Sequence, residues 1–519
     1  MIKKIVATLV IAGVSHVYAQ VPEDALRMSW NTPAGTARSQ AIGGAMGALG
    51  GDITAAFTNP AGLAVYKTSE MVITPGIGFL TNKSDFRGTG TTGLNKSNFA
   101  MGTSGVVFAF QDRFSNWSSK AFSIAINRAA DFNGVAHYKG LNDFSSYSEQ
   151  FLEEAAANRL DTSDVYDYPF TSGMAYYTYL IDFVLDDNGN FAGFKSMPLK
   201  SLEDDSPGFN QEKTITTSGG ITEIALGFAA NKNDKVYFGG SLGIPIMSYT
   251  RNTLFRESDA SGDPDNNFNY SEYYQHYSSK GAGMNLKLGV IFKPLPPLRI
   301  GLGLHTPTLY GLSEKSNASM TTDTENYPPS PGVVSVTSGE LNDNRDASFR
   351  YSLTSPWKFM VSGAYIFGQE ADVRSQKGFV SADLEYVTMA SSRFSAAGSD
   401  YYYSDDDDYY NQINDITKDL YKGTFNARIG GELKFNTLMV RAGLGYYGNP
   451  YRDKELEASR MNISTGVGYR NRGVFVDLTY VHQLTKNVDF PYRLADVANT
   501  YATIKGSGSN VLLTFGFKF

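Results

Sequence analysis

Apolar and polar residues alternate along most of the chain from about residue 70 onward. In residues 425–435, for example, the apolar side chains fall on one face of an extended chain, and the Asn, Arg, Glu and Lys side chains fall on the other. A period of two predicts β-strands with one apolar and one polar face. The same pattern predicts strands near residues 70–81, 99–111, 120–131, 221–230, 235–252, 280–292, 297–306, 357–368, 377–390, 423–435, 437–448, 459–469, 473–484 and 509–519.

The lengths of the connections between these segments alternate along the chain. Long connections follow most odd-numbered strands, and short ones follow the even-numbered strands. This sorting is typical of outer-membrane barrels with long extracellular loops and short periplasmic turns, whereas a β-sandwich has no reason to sort its loops. We therefore predict an all-β fold, a 14-stranded antiparallel transmembrane β-barrel over residues 70–519. Its longest extracellular loops are predicted at 132–220, 253–279, 307–356, 391–422 and 485–508.

The composition fits such a barrel. Of 519 residues, 42% are hydrophobic, 13% aromatic and 19% charged, yet no apolar run approaches the roughly 18 residues of a membrane helix. Alternation keeps mean hydropathy low, and the many Tyr and Phe residues suit the aromatic girdles at both membrane interfaces. The absence of Cys excludes disulfides and thiolate chemistry. The net charge of −7 gives no reason to expect a nucleic acid as partner.

The N-terminus predicts export. Lys3 and Lys4 precede an apolar stretch over residues 5–14, and the triplet Val17-Tyr18-Ala19 places small residues where a signal peptidase would cleave. We therefore interpret residues 1–19 as a signal peptide. Together with a barrel, this predicts the outer membrane of a Gram-negative-type bacterium.

Residues 20–69 are rich in small residues and lack the strand alternation. Within them, residues 35–45 (GTARSQAIGGA) and residues 52–64 (DITAAFTNPAGLA) resemble the FadL/TodX family of outer-membrane transporters for hydrophobic compounds. The core of the resemblance is the motif Asn59-Pro60-Ala61. The sequence motifs of the family match about thirty residues of this chain, and the remainder resembles the family only in its predicted architecture.

The resemblance implies that residues 20–69 form a hatch that plugs the barrel. Members of the family carry hydrophobic substrates passively from outside into the barrel, often with lateral release into the membrane. For the motif Asn59-Pro60-Ala61 two interpretations stay open. It could take part in the transport path, or it could be a helix-ending turn without substrate contact.

Two groups of residues are candidates for a ligand path. The first lies on the polar phase of its strands, and it could bind a carboxylate head group or form mutual ion pairs that fill the lumen. The second lies in the longest loop, after a predicted short helix at 148–160, and it could capture substrate or form the loop core. The first group is Lys287, Arg428, Glu432, Lys434 and Arg441; the second is Phe170, Tyr176, Tyr177 and Tyr179.

No motif points to a metal, a cofactor or catalysis. The His residues are scattered without metal-ligand spacing, and His305, the one candidate base on the lumen phase, has no evident nucleophile as partner. The acidic run Asp405–Asp408 could bind divalent cations beside lipopolysaccharide or form a solvated loop tip. We therefore expect neither an enzyme nor a cofactor.

These observations favour passive uptake of hydrophobic small molecules, such as long-chain fatty acids or aromatic compounds, with haem also left open. The expected partners are the ligand, outer-membrane lipid and lipopolysaccharide, with no nucleic acid and no protein partner indicated. The alternative is an outer-membrane scaffold or binding subunit of a secretion or surface-assembly system built on the same barrel.

Overall fold

The computed structural model describes residues 22–519, apart from residues 31–33, 94, 113, 203–206, 329–330, 369–376, 398–403 and 496. The predicted signal peptide lies outside the described residues. Among the described helices, none combines the length and the apolarity that crossing a bilayer requires.

Fourteen antiparallel strands form one closed barrel, as predicted. Strands β1 and β14 close the wall, with Glu70 opposite Lys518 and Phe86 opposite Ala502. Several strands are interrupted by one to five residues. The strands are β1 (Glu70–Ile73 and Pro75–Phe86), β2 (Lys96–Met101 and Ser104–Gln111), β3 (Trp117–Asp131 and Gly134–Asn142), β4 (Phe209–Lys232), β5 (Val236–Asp259), β6 (Tyr270–Leu295), β7 (Leu298–His305 and Leu309–Asp323), β8 (Ala347–Thr354 and Lys358–Phe367), β9 (Gly378–Val387 and Arg393–Ala396), β10 (Thr424–Phe435), β11 (Leu438–Tyr447), β12 (Ser459–Asn471), β13 (Val474–Asp489) and β14 (Ala502–Lys518).

The predicted alternation is confirmed in the wall. In β10, Phe425 and Ile429 point outward and are 59% and 51% exposed, whereas Arg428 between them is buried in the lumen. Apolar side chains therefore face lipid, and polar side chains face the barrel interior.

The wall is taller than the sequence predicts. Strand β4 begins at Phe209 and β7 continues to Asp323, so parts of the segments predicted as loops at 132–220 and 307–356 are strand. The reason is physical: outside the lipid belt neither face of a strand has to be apolar, and polar stretches such as Thr216–Ser218 lose the period of two.

Helices occupy the hatch and the extracellular loops. The hatch holds α1 (Pro22–Ser29), α2 (Ala37–Ala41) and two 3-10 helices, Ile53–Ala56 and Pro60–Val65. Helix α3 (Glu149–Asn158) confirms the helix predicted at 148–160. The remaining loop helices are α4 (Ser172–Tyr177), α5 (Met197–Leu202), α6 (Ser338–Leu341) and α7 (Ser404–Leu420).

Candidate functional site

The Asn-Pro-Ala motif joins the hatch to the barrel wall. Asn59 is fully buried and caps the second 3-10 helix, because its Oδ1 accepts from the Ala61 N–H at 3.2 Å. Its Nδ2 donates to the Gly47 carbonyl at 2.6 Å within the hatch. It also approaches the wall carbonyls of Val290 and Leu302 at 3.4 and 3.3 Å. The motif therefore anchors the hatch, and it does not line the main cavity described below.

Other hatch residues contact strands around the whole circumference. The Ala37 N–H donates to Thr514 of β14 at 2.7 Å, and the Gly43 N–H donates to Ser464 of β12 at 3.1 Å. Because Gly43 has φ +69°, and a Cβ there would meet the backbone of β11, only glycine suits this close approach. The hatch therefore lies inside the barrel and is held from several sides.

Tyr66 fixes the C-terminal end of the hatch. Its hydroxyl donates to Glu70 at 2.8 Å, where the chain enters β1. Burial raises the pKa of Tyr66 well above its ordinary value, and the neighbouring Glu70 carboxylate raises it further. The phenol therefore stays protonated and keeps its role as a donor.

Four of the five predicted lumen-facing charges lie in ion pairs, and of these Glu432 and Arg441 pair with each other. Arg441 contacts Glu432 and Asp477, both at 2.6 Å. Glu432 also lies 3.5 Å from Arg38 of the hatch, so one carboxylate links hatch and wall. Lys434 is half-buried and has a partner. Mutual pairing that ties down the hatch, one of the two interpretations of this group, agrees with this geometry.

The remaining two candidates, Lys287 and Arg428, line a small polar chamber of about 130 Å³. Lys287 pairs with Glu223, and Arg428 lies 3.7 Å from Glu385. His305 Nε2 lies 2.7 Å from the Thr58 carbonyl of the hatch. Hatch and wall thus enclose a chamber in which buried ion pairs stand beside apolar side chains such as Phe57 and Met360, so an apolar molecule there would lie next to buried charges.

A much larger cavity of about 900 Å³ lies between the hatch and the extracellular loops. This volume is within the range of about 300–1,000 Å³ that is usual for ligand pockets. Apolar and aromatic side chains cover much of its wall. They include Leu26 and Trp30 of the hatch, Phe151 and Phe170 of the longest loop, and Phe255 and Tyr273 of the wall.

Three arginines facing this cavity lack an acidic partner. Arg128 donates to the Gly219 carbonyl at 2.5 Å, Arg251 contacts Gln275 at 3.3 Å, and the Arg460 guanidinium lies 4.1 Å from the centroid of the Trp30 ring. In the described part of the chain no carboxylate lies within ion-pair distance of any of them. The cavity therefore combines an apolar body with unneutralised positive charge.

The predicted capture residues do not form one surface. Phe170 is buried and lines the cavity. Tyr176 packs within the loop, 5.5 Å from the ring of Phe194, and Tyr177 is 43% exposed. Tyr179 is half-buried, with φ +60°. Of the four, only Phe170 is placed to contact a molecule inside the cavity.

Beside the cavity, the backbone pairing of the wall has an opening between β2 and β3. Backbone pairing between these strands covers Ser104–Gln111 only. Above it, Lys96–Met101 pairs with β1, and Gly134–Asn142 pairs with β4, while Asn98 bonds to Asp131 through side chains. Cavity-lining residues at this point include Met101, Phe132 and Gly134. The cavity therefore borders the stretch of wall where the backbone pairing between β2 and β3 is missing.

Sequence reasoning missed the three cavity arginines and Trp30. Arg128 falls on the same phase as the exposed Ile124 of its strand, and Arg251 and Arg460 lie near the ends of the predicted strands 235–252 and 459–469. Nothing in the sequence separates an arginine that has an acidic partner from one that lacks it. The acidic run 405–408 begins within α7, and its side chains lie outside the described residues.

No protein-family model matches the chain, and no curated protein matches it by sequence. Among solved structures, the chain is similar to a FadL homologue of Pseudomonas aeruginosa, with 13% identity and a TM-score of 0.54 over 95% of this chain and 100% of that one. It is also similar to the CymD monoaromatic hydrocarbon channel, with 13% identity and a TM-score of 0.50 over 95% and 99% of the two chains. A deletion mutant of the TodX monoaromatic hydrocarbon channel gives 14% identity and a TM-score of 0.51 over 94% and 99%. The resemblance seen in the sequence is therefore confirmed in the architecture: the chain has the plugged 14-stranded barrel fold of the FadL-like outer-membrane transport proteins.

Proposed function

We propose that this protein takes up hydrophobic molecules that carry an anionic group, such as long-chain fatty acids, across the outer membrane without an energy source. The observation that carries the proposal is the cavity of about 900 Å³ with its apolar wall and three arginines without acidic partners. Burying an apolar chain supplies affinity in proportion to the area removed from water. A cation in such a site is costly unless it is paired, so an anionic ligand relieves that cost.

The chain's overall charge strengthens this inference. The protein carries a net charge of −7, so a generic surface would repel an anion. Other cations at the cavity already have acids: Lys213 lies 2.9 Å from Asp489, and Arg493 pairs with Glu23. Guanidinium groups without an acidic partner are thus a local feature of the cavity. A neutral aromatic hydrocarbon would leave their charge without a counterion.

We further propose that the ligand leaves sideways through the opening between β2 and β3. The axial route passes the chamber that holds Lys287, Glu223, Arg428 and Glu385, where an apolar tail would lie among buried ion pairs. A lateral exit through the opening in the backbone pairing would instead lead from the apolar cavity directly to lipid.

The first experiment measures ligand binding. Mass spectrometry of molecules retained by the purified protein should find anionic amphiphiles. Arg460→Gln should weaken oleate binding about 10- to 100-fold, since a hydrogen bond to a charged group contributes about 1.5–3 kcal/mol. Binding of oleyl alcohol should hardly change. Arg256→Gln, at a half-exposed arginine paired with Glu272, is the matched control. Equal losses for oleate and the alcohol would contradict the proposed charge recognition.

The second experiment tests the exit. Because the chain has no Cys, two introduced thiols can be joined cleanly by a short thiol-specific cross-linker. Linking Asn98→Cys to Asp131→Cys should abolish uptake into vesicles, and reduction should restore it. Linking Tyr480→Cys to Ser509→Cys, across the fully paired β13–β14 wall, is the control. Unchanged uptake with the opening linked would exclude lateral exit.

A scaffold role is the second candidate, and exposed apolar residues in the longest loop favour it. The hairpin formed by Ile181–Leu185 and Phe191–Ser196 exposes Phe183 and Leu185 at 40% and 51%. A protein partner recovered in stoichiometric amounts, together with normal uptake in a Phe183→Ser variant that loses that partner, would assign this surface to assembly.

A further inference from the structure

The lipid-facing wall carries an apolar groove of about 580 Å³ across strands β4 to β7, near their short periplasmic turns. It is distinct from the lumen, because its side chains point outward. The residues that line it are Trp117, Phe228, Ala230, Phe238, Gly239, Gly240, Leu288, Gly289, Val290, Leu302, Gly303 and Leu304.

Glycines create the groove. Gly240 occupies an outward position between its cross-strand neighbours Phe228 and Leu288, and a Cβ there would meet nothing closer than Leu288 Cδ2 at 3.6 Å. The inward glycines Gly239 and Gly289 leave the wall thin, so that Asn59 and Pro60 of the hatch press against its inner side. The depression therefore lies directly behind the point where the hatch is anchored.

Two lysines stand at the periplasmic end of the groove. Lys120 lies opposite Ala230 on the neighbouring strand, and Lys232 lies opposite Trp117, with its Nζ 6.0 Å from the indole ring. Both lysines are exposed. As near-diagonal cross-strand neighbours they are separated by roughly 7–8 Å along the backbone. Two ammonium groups thus lie at the periplasmic end of the apolar groove.

The nearby acid does not neutralise these lysines. Asp234 in the adjacent turn accepts from the Tyr237 hydroxyl at 2.9 Å and lies 3.7 Å from Lys293. Within the described residues, neither Lys120 nor Lys232 has a carboxylate at ion-pair distance. Their charge is available to a ligand in the membrane.

We propose that this groove binds an anionic phospholipid of the periplasmic leaflet. One acyl chain fills the groove over Gly240, and the phosphate lies between Lys120 and Lys232. The apolar lining matches the chain, the lysine pair matches the head group, and the position near the short turns matches the inner leaflet. Lipid binding at this groove does not require the transported molecule, so the proposal can be tested independently of the proposed uptake.

Trp117 at the groove provides the test. Trp357→Phe removes the other tryptophan exposed on the wall, and Trp30 is buried in the lumen. This variant is placed in phosphatidylcholine vesicles that contain either brominated phosphatidylglycerol or brominated phosphatidylcholine, and quenching of the indole fluorescence is measured. A lysine near a membrane surface contributes about 1 kcal/mol with anionic lipid, which is about fivefold. We expect phosphatidylglycerol to bind roughly 30-fold more tightly than phosphatidylcholine.

Matched variants separate the two parts of the site. Lys120→Gln and Lys232→Gln should each lower the preference about fivefold, and the double variant should abolish it. Gly240→Leu should fill the groove and reduce quenching by both lipids. Gly363→Leu, at an outward glycine of β8 with nothing within 4 Å of a Cβ, should change neither. Equal quenching by the two lipids, or a preference for phosphatidylglycerol that survives the double variant, would overturn the proposal. The heat-dependent gel mobility of the barrel shows that each variant is folded.

Discussion

Replacing Asn59 by Ala should release the hatch while leaving the barrel intact. The side chain makes one cap bond, one bond within the hatch and two longer contacts to the wall. Loss of an N-cap residue costs about 1 kcal/mol. Leaving buried carbonyls such as that of Gly47 without their donor costs about 1–3 kcal/mol more. The local opening free energy of the hatch should therefore fall by about 3 kcal/mol.

Hydrogen exchange followed by mass spectrometry measures this directly, because it reports local opening as well as global unfolding. A loss of about 3 kcal/mol should speed the exchange of protected amides in residues 35–66 by roughly 100-fold. Amides of β11 and β12 should exchange at the parent rate. Asn59→Ser, which keeps a short capping hydroxyl but cannot reach the wall, should give an intermediate rate.

Two outcomes would refute this reasoning. Unchanged exchange in residues 35–66 would show that the remaining contacts, such as those of Ala37 and Gly43 with the wall, hold the hatch without Asn59. Equal acceleration in hatch and barrel would show that Asn59 supports the whole fold and not the hatch alone.

Two further predictions concern charge. Arg441→Met should destabilise the folded barrel by about 3–5 kcal/mol in detergent unfolding, because it removes the nearest cation of the buried carboxylates of Glu432 and Asp477. Lys486→Ala, at an exposed pair, should cost less than about 1 kcal/mol, and similar losses for the two variants would contradict the interpretation of a buried ion-pair network. Glu154 lies in a loop helix, where burial raises the pKa of its carboxyl, so the folded loop favours the protonated form. The loop should therefore lose stability as the pH rises above about 4.3, the ordinary pKa of a Glu carboxyl. The rate of proteolysis of the loop should rise with pH in the parent protein, and this pH dependence should flatten in Glu154→Gln. A trend that persists in Glu154→Gln would assign it to another group.

The barrel wall could be predicted from sequence because the bilayer imposes a simple rule. A strand that crosses lipid must present an apolar side chain at every second position, and residues 425–435 display that rule openly. The rule also explains the error in the loops. Where β4 extends beyond the lipid at Thr216–Ser218, both faces are polar and the period of two disappears.

The candidate site was only partly predictable. The sequence pointed to Asn59 through a family resemblance and to Arg441 through strand phase, and both lie in the hatch–wall contact. It gave no means of choosing Arg460, because the absence of an acidic partner depends on which strands and loops surround its guanidinium group. Phe170 was distinguished from Tyr176 and Tyr177 only by how the longest loop folds back over the barrel.

Sequence alone determined the fourteen-stranded wall, because alternation is a local property that can be read from neighbouring positions, and the hatch was implied only by the family resemblance of residues 35–64. Only the tertiary structure decided where the wall opens, which charges lack partners and where glycines thin the wall. Those features arise between residues that are distant in sequence, such as Arg460 with Trp30 and Asn59 with Gly289. The closure of the barrel sets the distances between such residues, and these distances cannot be read from a local sequence pattern.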